Sequence, residues 1–94
     1  MMNYYSPLPT GAKQYIVGND VSQTILRRII DSGEPQSKHD IAVTMDSADD
    51  GALYSALVRL KGYGILKKAG KGSFWQIPSE YERTIKLILY GDDS

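Results

Sequence analysis

Residues 53–77, LYSALVRLKGYGILKKAGKGSFWQI, constrain the fold more than any other stretch of this chain. Leu53, Ala56, Leu57 and Leu60 recur at i, i+3, i+4 and i+7, which puts all four on one face of a helix. Gly62 and Gly64 then supply backbone freedom where the helix must stop and the chain must reverse. After them the period shortens. Residues 65–68 and 73–77 read as two strands, with Ala69-Gly70-Lys71-Gly72 as the hairpin loop between them. A helix with one apolar face thus runs through a glycine turn into a hairpin with a basic tip.

The remainder supplies partners for that helix. Asp20 with Gln23 three residues on has capping-box spacing, and Val21, Ile25, Leu26, Ile29 and Ile30 form the apolar stripe of a helix ending near Ser32-Gly33. Glu34-Pro35-Gln36 reads as a short extended connector, because the residue before proline avoids the helical region. Ser37 caps a further helix with Asp40 at its third position and Ile41, Ala42 and Met45 facing inward. Ser47 caps the helix containing Leu53, and Asp49 and Asp50 lie in its first turn, where carboxylates favour the positive end of the dipole. Downstream, Ser79-Glu80-Tyr81-Glu82 has the S-x-x-E pattern of a capping box behind Pro78. It predicts a last helix with Tyr81, Ile85, Ile88 and Leu89 on one face, although Ile85, Leu87 and Leu89 also alternate as a strand would. Residues 1–19 carry Pro7, Pro9, Gly11 and Gly18 without a sustained period and read as an irregular arm, partly packed through Tyr4, Tyr5, Tyr15, Ile16 and Val17. The expected organisation is an arm over 1–19, one domain over 20–78, and a C-terminal helix with a short acidic tail over 79–94.

Composition bounds what such a chain can be. Ninety-four residues at 41% hydrophobic build one small domain with a modest core, and without cysteine there is neither a disulfide nor a thiolate metal site. No apolar run approaches the roughly 18 residues that span a bilayer, and the polar first ten residues do not resemble a signal peptide, so a cytoplasmic protein without a membrane segment is expected. The formal net charge is zero, from 11 basic and 11 acidic residues, but it is unevenly distributed. Residues 62–78 carry Lys67, Lys68 and Lys71 and no acid, whereas residues 79–94 carry Arg83 and Lys86 against Glu80, Glu82, Asp92 and Asp93. Lysines on a hairpin also protect an exposed edge strand from pairing, so the basic tip has a structural explanation beside a functional one.

Residues 22–77 resemble a winged helix-turn-helix domain of the prokaryotic or phage transcriptional-regulator type. The resemblance rests on Ala52-Leu53-Tyr54-Ser55-Ala56-Leu57-Val58-Arg59-Leu60, similar to the apolar-x-x-Ala-Leu-x-x-Leu pattern of a recognition helix, followed by Gly64-Ile65-Leu66, where a glycine precedes the first wing strand. It implies an α+β, mainly α fold, with a three-helix core and a β-hairpin wing. It also implies binding of double-stranded DNA, with the third helix of that core in the major groove and the wing against the backbone. Carried onto this chain, it makes Tyr54, Ser55, Arg59 and Lys61 the groove-facing residues, together with Val58, and with Ala48 and Gly51 at the start of the helix. Lys67, Lys68 and Lys71 would meet phosphates, and Lys38 and His39 would meet backbone at the start of the preceding helix. The chain departs from the pattern at Asp46, Asp49 and Asp50, which crowd the start of the recognition helix, where base-reading Arg, Gln or Asn residues are missing. This opens an alternative reading as a protein-binding module of the same fold, an inhibitor or adaptor that does not grip DNA.

Enzyme chemistry is not expected. His39 is the only histidine and has no singled-out partners for nucleophilic or metal chemistry. Gly70-Lys71-Gly72-Ser73 lacks the G-x-x-x-x-G-K-[ST] spacing that wraps a phosphate, and neither a cofactor nor a metal is expected. Of Phe74 and Trp75, strand alternation turns one to the core and leaves the other half exposed, so they read as packing residues before a stacking platform for single strands. Because one recognition helix buries little surface, a two-fold dimer is expected. The segment from Tyr81 to Tyr90, with Ile85, Leu87, Ile88 and Leu89, is richer in apolar residues than a terminal helix needs, and reads either as the dimer interface or as a helix that folds back on the first helix to complete the core of one chain.

Overall fold

Two helices of thirteen residues carry most of the core: α2 (Asp20–Ser32) and α4 (Asp50–Gly62). Helix α2 buries Ile25, Leu26 and Ile29, and α4 buries Leu53, Ala56, Leu57 and Leu60, so the periodic positions of both helices meet across one interface. The computed structural model describes residues 8–43, 50–70 and 72–91. Over them the chain is α+β and mainly helical. Helices α1 (Ala12–Val17), α3 (Lys38–Ala42) and α5 (Ser79–Tyr90) complete the helical part, and strands β1 (Gln36–Ser37), β2 (Lys67–Lys68) and β3 (Phe74–Gln76) form a small antiparallel sheet in the order β1-β3-β2. Ile16, Ile41, Ile65, Leu66, Trp75 and Ile85 join the same core. Each fully buried side chain of this size contributes about 1.5–3 kcal/mol relative to an exposed one.

The local signals for α3, the glycine turn and the hairpin act as expected. Ser37 accepts a hydrogen bond from the Asp40 N–H at 3.0 Å, and Asp40 Oδ2 accepts one from the Ser37 N–H at 3.2 Å, a full capping box. Gly64 takes φ +82°, a left-handed conformation that glycine adopts without steric cost, and the Ile65 N–H then returns to the Leu60 carbonyl at 3.0 Å. The Ala69 N–H donates to the Phe74 carbonyl at 2.8 Å, closing the hairpin. Trp75 is buried and Phe74 exposed, as alternation requires. The expected strands are shorter than the sequence suggested, because Ile65 and Leu66 go into the core before pairing begins.

Four expectations are corrected. The arm over 1–19 is not irregular throughout: α1 lies within it and buries Ala12 and Ile16, one turn apart, against α2, with Tyr15 partly buried, whereas Val17, expected to pack, is exposed. Asp20 does not cap α2. The cap is Asn19, whose Oδ1 accepts from the Ser22 N–H at 2.7 Å, and Gln23 turns back to donate to the Ile16 and Val17 carbonyls, tying α1 to α2. The Glu34-Pro35-Gln36 connector leads into a strand, since Gln36 and Ser37 pair with Trp75 and Phe74. The S-x-x-E pattern at Ser79 forms no capping box; α5 starts behind Pro78 with no side-chain cap. The helix itself is present, with Ile85 fully buried and Tyr81, Ile88 and Leu89 packed against the core, which excludes the strand reading of that segment. Tyr4, Tyr5, Met45, Asp46, Ser47, Ala48, Asp49, Asp92 and Asp93 lie outside the described residues. Among the described residues, no helix is long and apolar enough to cross a membrane.

Candidate functional site

With Leu53, Ala56, Leu57 and Leu60 turned inward, the rotation of about 100° per residue directs Val58 and Ser55 away from the core to the same degree. Tyr54 and Lys61 lie to one side of Val58, and Ser55 and Arg59 to the other. All five are exposed, Tyr54 at 60% and Val58 at 46%, so the positions singled out from the sequence do share one outward face of α4.

Two of the expected cations are engaged at the edges of this face. Lys38, at the start of α3, places Nζ 3.1 Å from Asp50 Oδ2 and 5.7 Å from the centre of the Tyr54 ring. The pair joins the N-terminal ends of α3 and α4 and offsets the Asp50 carboxylate. With the Asp50 side chain 82% exposed, such a pair is worth only about 0–1 kcal/mol and yields readily to a competing anion. On the opposite flank the Arg59 guanidinium stands 5.4 Å from the Tyr15 ring centre, and Tyr15 in turn packs against Tyr63 at 5.7 Å. Burial raises the Tyr15 hydroxyl above its ordinary pKa; Arg59 opposes the shift and Tyr63 adds to it. Nothing local in the sequence connects Tyr15 with Arg59, and this support for the site was not legible there.

The hairpin lysines divide between two faces of the sheet. Lys68 stands opposite Trp75 in the register, and its Nζ lies 4.5 Å above the indole ring, an ammonium held over an aromatic face at the rim of the core. Lys67, opposite Gln76, shares the other face with exposed Phe74. Strand β2 is an edge strand, so its two lysines also guard it against pairing. Lys71 lies outside the described residues. His39 is exposed on α3, next to Asp40, whose carboxyl is held below its ordinary range first by the Ser37 backbone N–H and then by the Ser37 side chain.

Continuity of charge ties these elements together. From Gly51 to Ser79 the chain carries Arg59, Lys61, Lys67, Lys68 and Lys71 and no carboxylate, so α4 beyond its first residue and the whole hairpin form a cationic unit. Among the described residues, no three His, Cys, Asp or Glu side chains gather as a metal ion would require. A separate feature is not legible in the sequence: Leu8, Pro9, Val17, Leu87 and Ile88, with Lys13, Gln14 and Thr84 among them, line an open, partly apolar groove of about 670 Å³ between the N-terminal segment, α1 and α5. Compared with known proteins, the chain matches no family model, no curated protein and no solved structure.

Proposed function

We propose that this is a winged-helix protein that binds double-stranded DNA, a small transcriptional regulator that acts by occupying a duplex site without a cofactor. In this reading α4 enters the major groove, and the β2–β3 hairpin is the wing that meets the flanking backbone. The observation that carries it is the carboxylate-free run from Gly51 to Ser79, which leaves α4 beyond Asp50 and the hairpin with basic groups alone in a chain that is neutral as a whole. Phosphate selects such a surface. The helices and the three-stranded sheet are compatible with the fold this requires. Lys38 supports it from the other end of α4, because its exposed pairing with Asp50 costs little to exchange for phosphate.

Two copies would pair through α5, placing two α4 helices on half-sites about one helical turn apart. Ile85 serves the core of the single chain, so pairing falls to Leu87 and the groove it lines. One observation favours a second reading: Tyr54 and Val58 make the outer face of α4 partly apolar, as a protein partner would want.

The test is binding of the full chain to a pool of randomised duplexes over a range of salt. Replacing Lys67, Lys68 and Lys71 together by Ala should weaken binding to all sequences alike and reduce the slope of log affinity against log salt by about 0.9 per lysine that touches phosphate. The division of Lys67 and Lys68 between two faces makes a reduction below the full three-lysine value the expected result. An unchanged slope removes the hairpin contact. No duplex binding at low salt by the folded chain transfers the α4 face to the protein-partner reading.

A further inference from the structure

Resting on the DNA-binding reading above, the geometry points to the thymine methyl group as what the centre of α4 reads. Val58 and Ser55 project from the side of α4 opposite its buried face, and Tyr54 stands one turn before Val58; Tyr54 and Val58 are large, apolar in part and exposed. The polar groups that distinguish bases by paired hydrogen bonds are missing from this centre. The exposed positions of α4 include no Asn or Gln, and the one guanidinium, that of Arg59, lies on the flank against the Tyr15 ring. In the major groove, the apolar feature on a base edge is the C5 methyl of thymine. An exposed valine is otherwise unfavourable in a helix, since its branched Cβ loses rotamer freedom against the preceding turn. Burial against a methyl group gives that residue a partner. Charge complementarity fixes the orientation: Lys61, one turn beyond Val58, puts a cation at one end of the apolar centre, and at the other Lys38 beside Tyr54 exchanges its exposed partner Asp50 for phosphate, while the centre faces the base edges. Ser55 adds a hydroxyl that serves either an acceptor or a donor, and so does not narrow the choice of base by itself.

The experiment starts from duplexes that the full chain selects from a randomised pool, with thymines then replaced singly by deoxyuridine, which changes only the C5 methyl. Selected duplexes should be enriched in adjacent thymines, and each critical methyl removed should weaken binding about four-fold, the factor equivalent to one buried CH₂ group. Val58→Ala, at an exposed position that leaves the core intact, should bind thymine and deoxyuridine duplexes alike at the position it reads while keeping the parent's salt slope. Equal affinity of the parent for thymine and deoxyuridine duplexes, with the lysine-dependent salt slope intact, overturns the methyl contact and leaves DNA binding standing. Selection of duplexes without thymine enrichment does the same. Failure to bind any duplex at low salt overturns both readings together.

Discussion

Leu57 and Val58 are neighbours in sequence and opposites in environment, which makes their truncation the sharpest test of the arrangement of α4. Leu57 is 1% exposed within the core, whereas Val58 points to solvent. Leu57→Ala removes three carbons, about 2.4 kcal/mol of transfer free energy at ~0.8 kcal/mol per carbon. The cavity left behind adds to this, giving about 3–5 kcal/mol where the neighbours cannot collapse. Leu53, Leu60 and Ile25 belong to the same buried cluster and are held by helix–helix packing, so little collapse is expected. A domain of this size has a total stability of about 5–15 kcal/mol, so the loss is a large share of it, and Tm should fall by about 4–8 °C per kcal/mol. Val58→Ala should stay within about 0.5 kcal/mol of the parent, since the small area lost is offset by better helix propensity. Urea titration followed by far-UV circular dichroism measures both, with the slope on denaturant unchanged in each. A Leu57→Ala variant as stable as the parent, or a Val58→Ala variant that loses as much as Leu57→Ala, would refute the orientation of α4 and the outward face built on it.

Capping gives a second contrast: Asn19→Ala should cost about 1 kcal/mol in the same titration, and Ser79→Ala only a few tenths, reversing what the S-x-x-E pattern alone would suggest. Asp40 has its pKa lowered by folding, so the stability it confers is present above the ordinary value of 3.8 and is lost as pH falls through the lower folded value. Asp40→Asn should therefore flatten the acid limb of a stability–pH profile below about pH 4, read as Tm against pH. Pairing through α5 predicts a dimer mass by light scattering at micromolar concentration and a monomer mass for Leu87→Asp; a monomer mass for the parent removes the dimer.

What the sequence disclosed and what it hid follow from how far apart the interacting residues lie. Helix α4, the glycine turn and the hairpin were legible because apolar period, left-handed glycine and strand alternation are local signals, and the same period correctly put Tyr54, Ser55, Arg59 and Lys61 outside. Helix α1 was hidden because its six residues bury only Ala12 and Ile16 and its N-cap is a glycine without a capping side chain. The true cap of α2 was masked by its neighbour: Asn19 and Asp20 are both good caps, and the Gln23 spacing favoured the wrong one. Strand β1 was missed because two residues after a proline carry no period, and only β3, far along the chain, makes them a strand. At the site, the Lys38–Asp50 pair, the Arg59–Tyr15 contact and the division of Lys67 from Lys68 all depend on docking between elements. Spacing within one element cannot reveal them.

The position of β3 in the middle of the sheet also orders the events by which the molecule forms. Its partner β2 is reached through a tight hairpin, but Gln36 lies on the order of 40 residues from Trp75, and closing a loop of that length costs about 3 kcal/mol of chain entropy beyond a constant. Two paired residues repay that cost only once the docking of α2 on α4 has already shortened the distance. Pairing of β1 is therefore expected to follow that docking and to form after the barrier. Substitutions at Gln36 should act on the rate at which the folded molecule opens, leaving the rate at which it closes almost untouched.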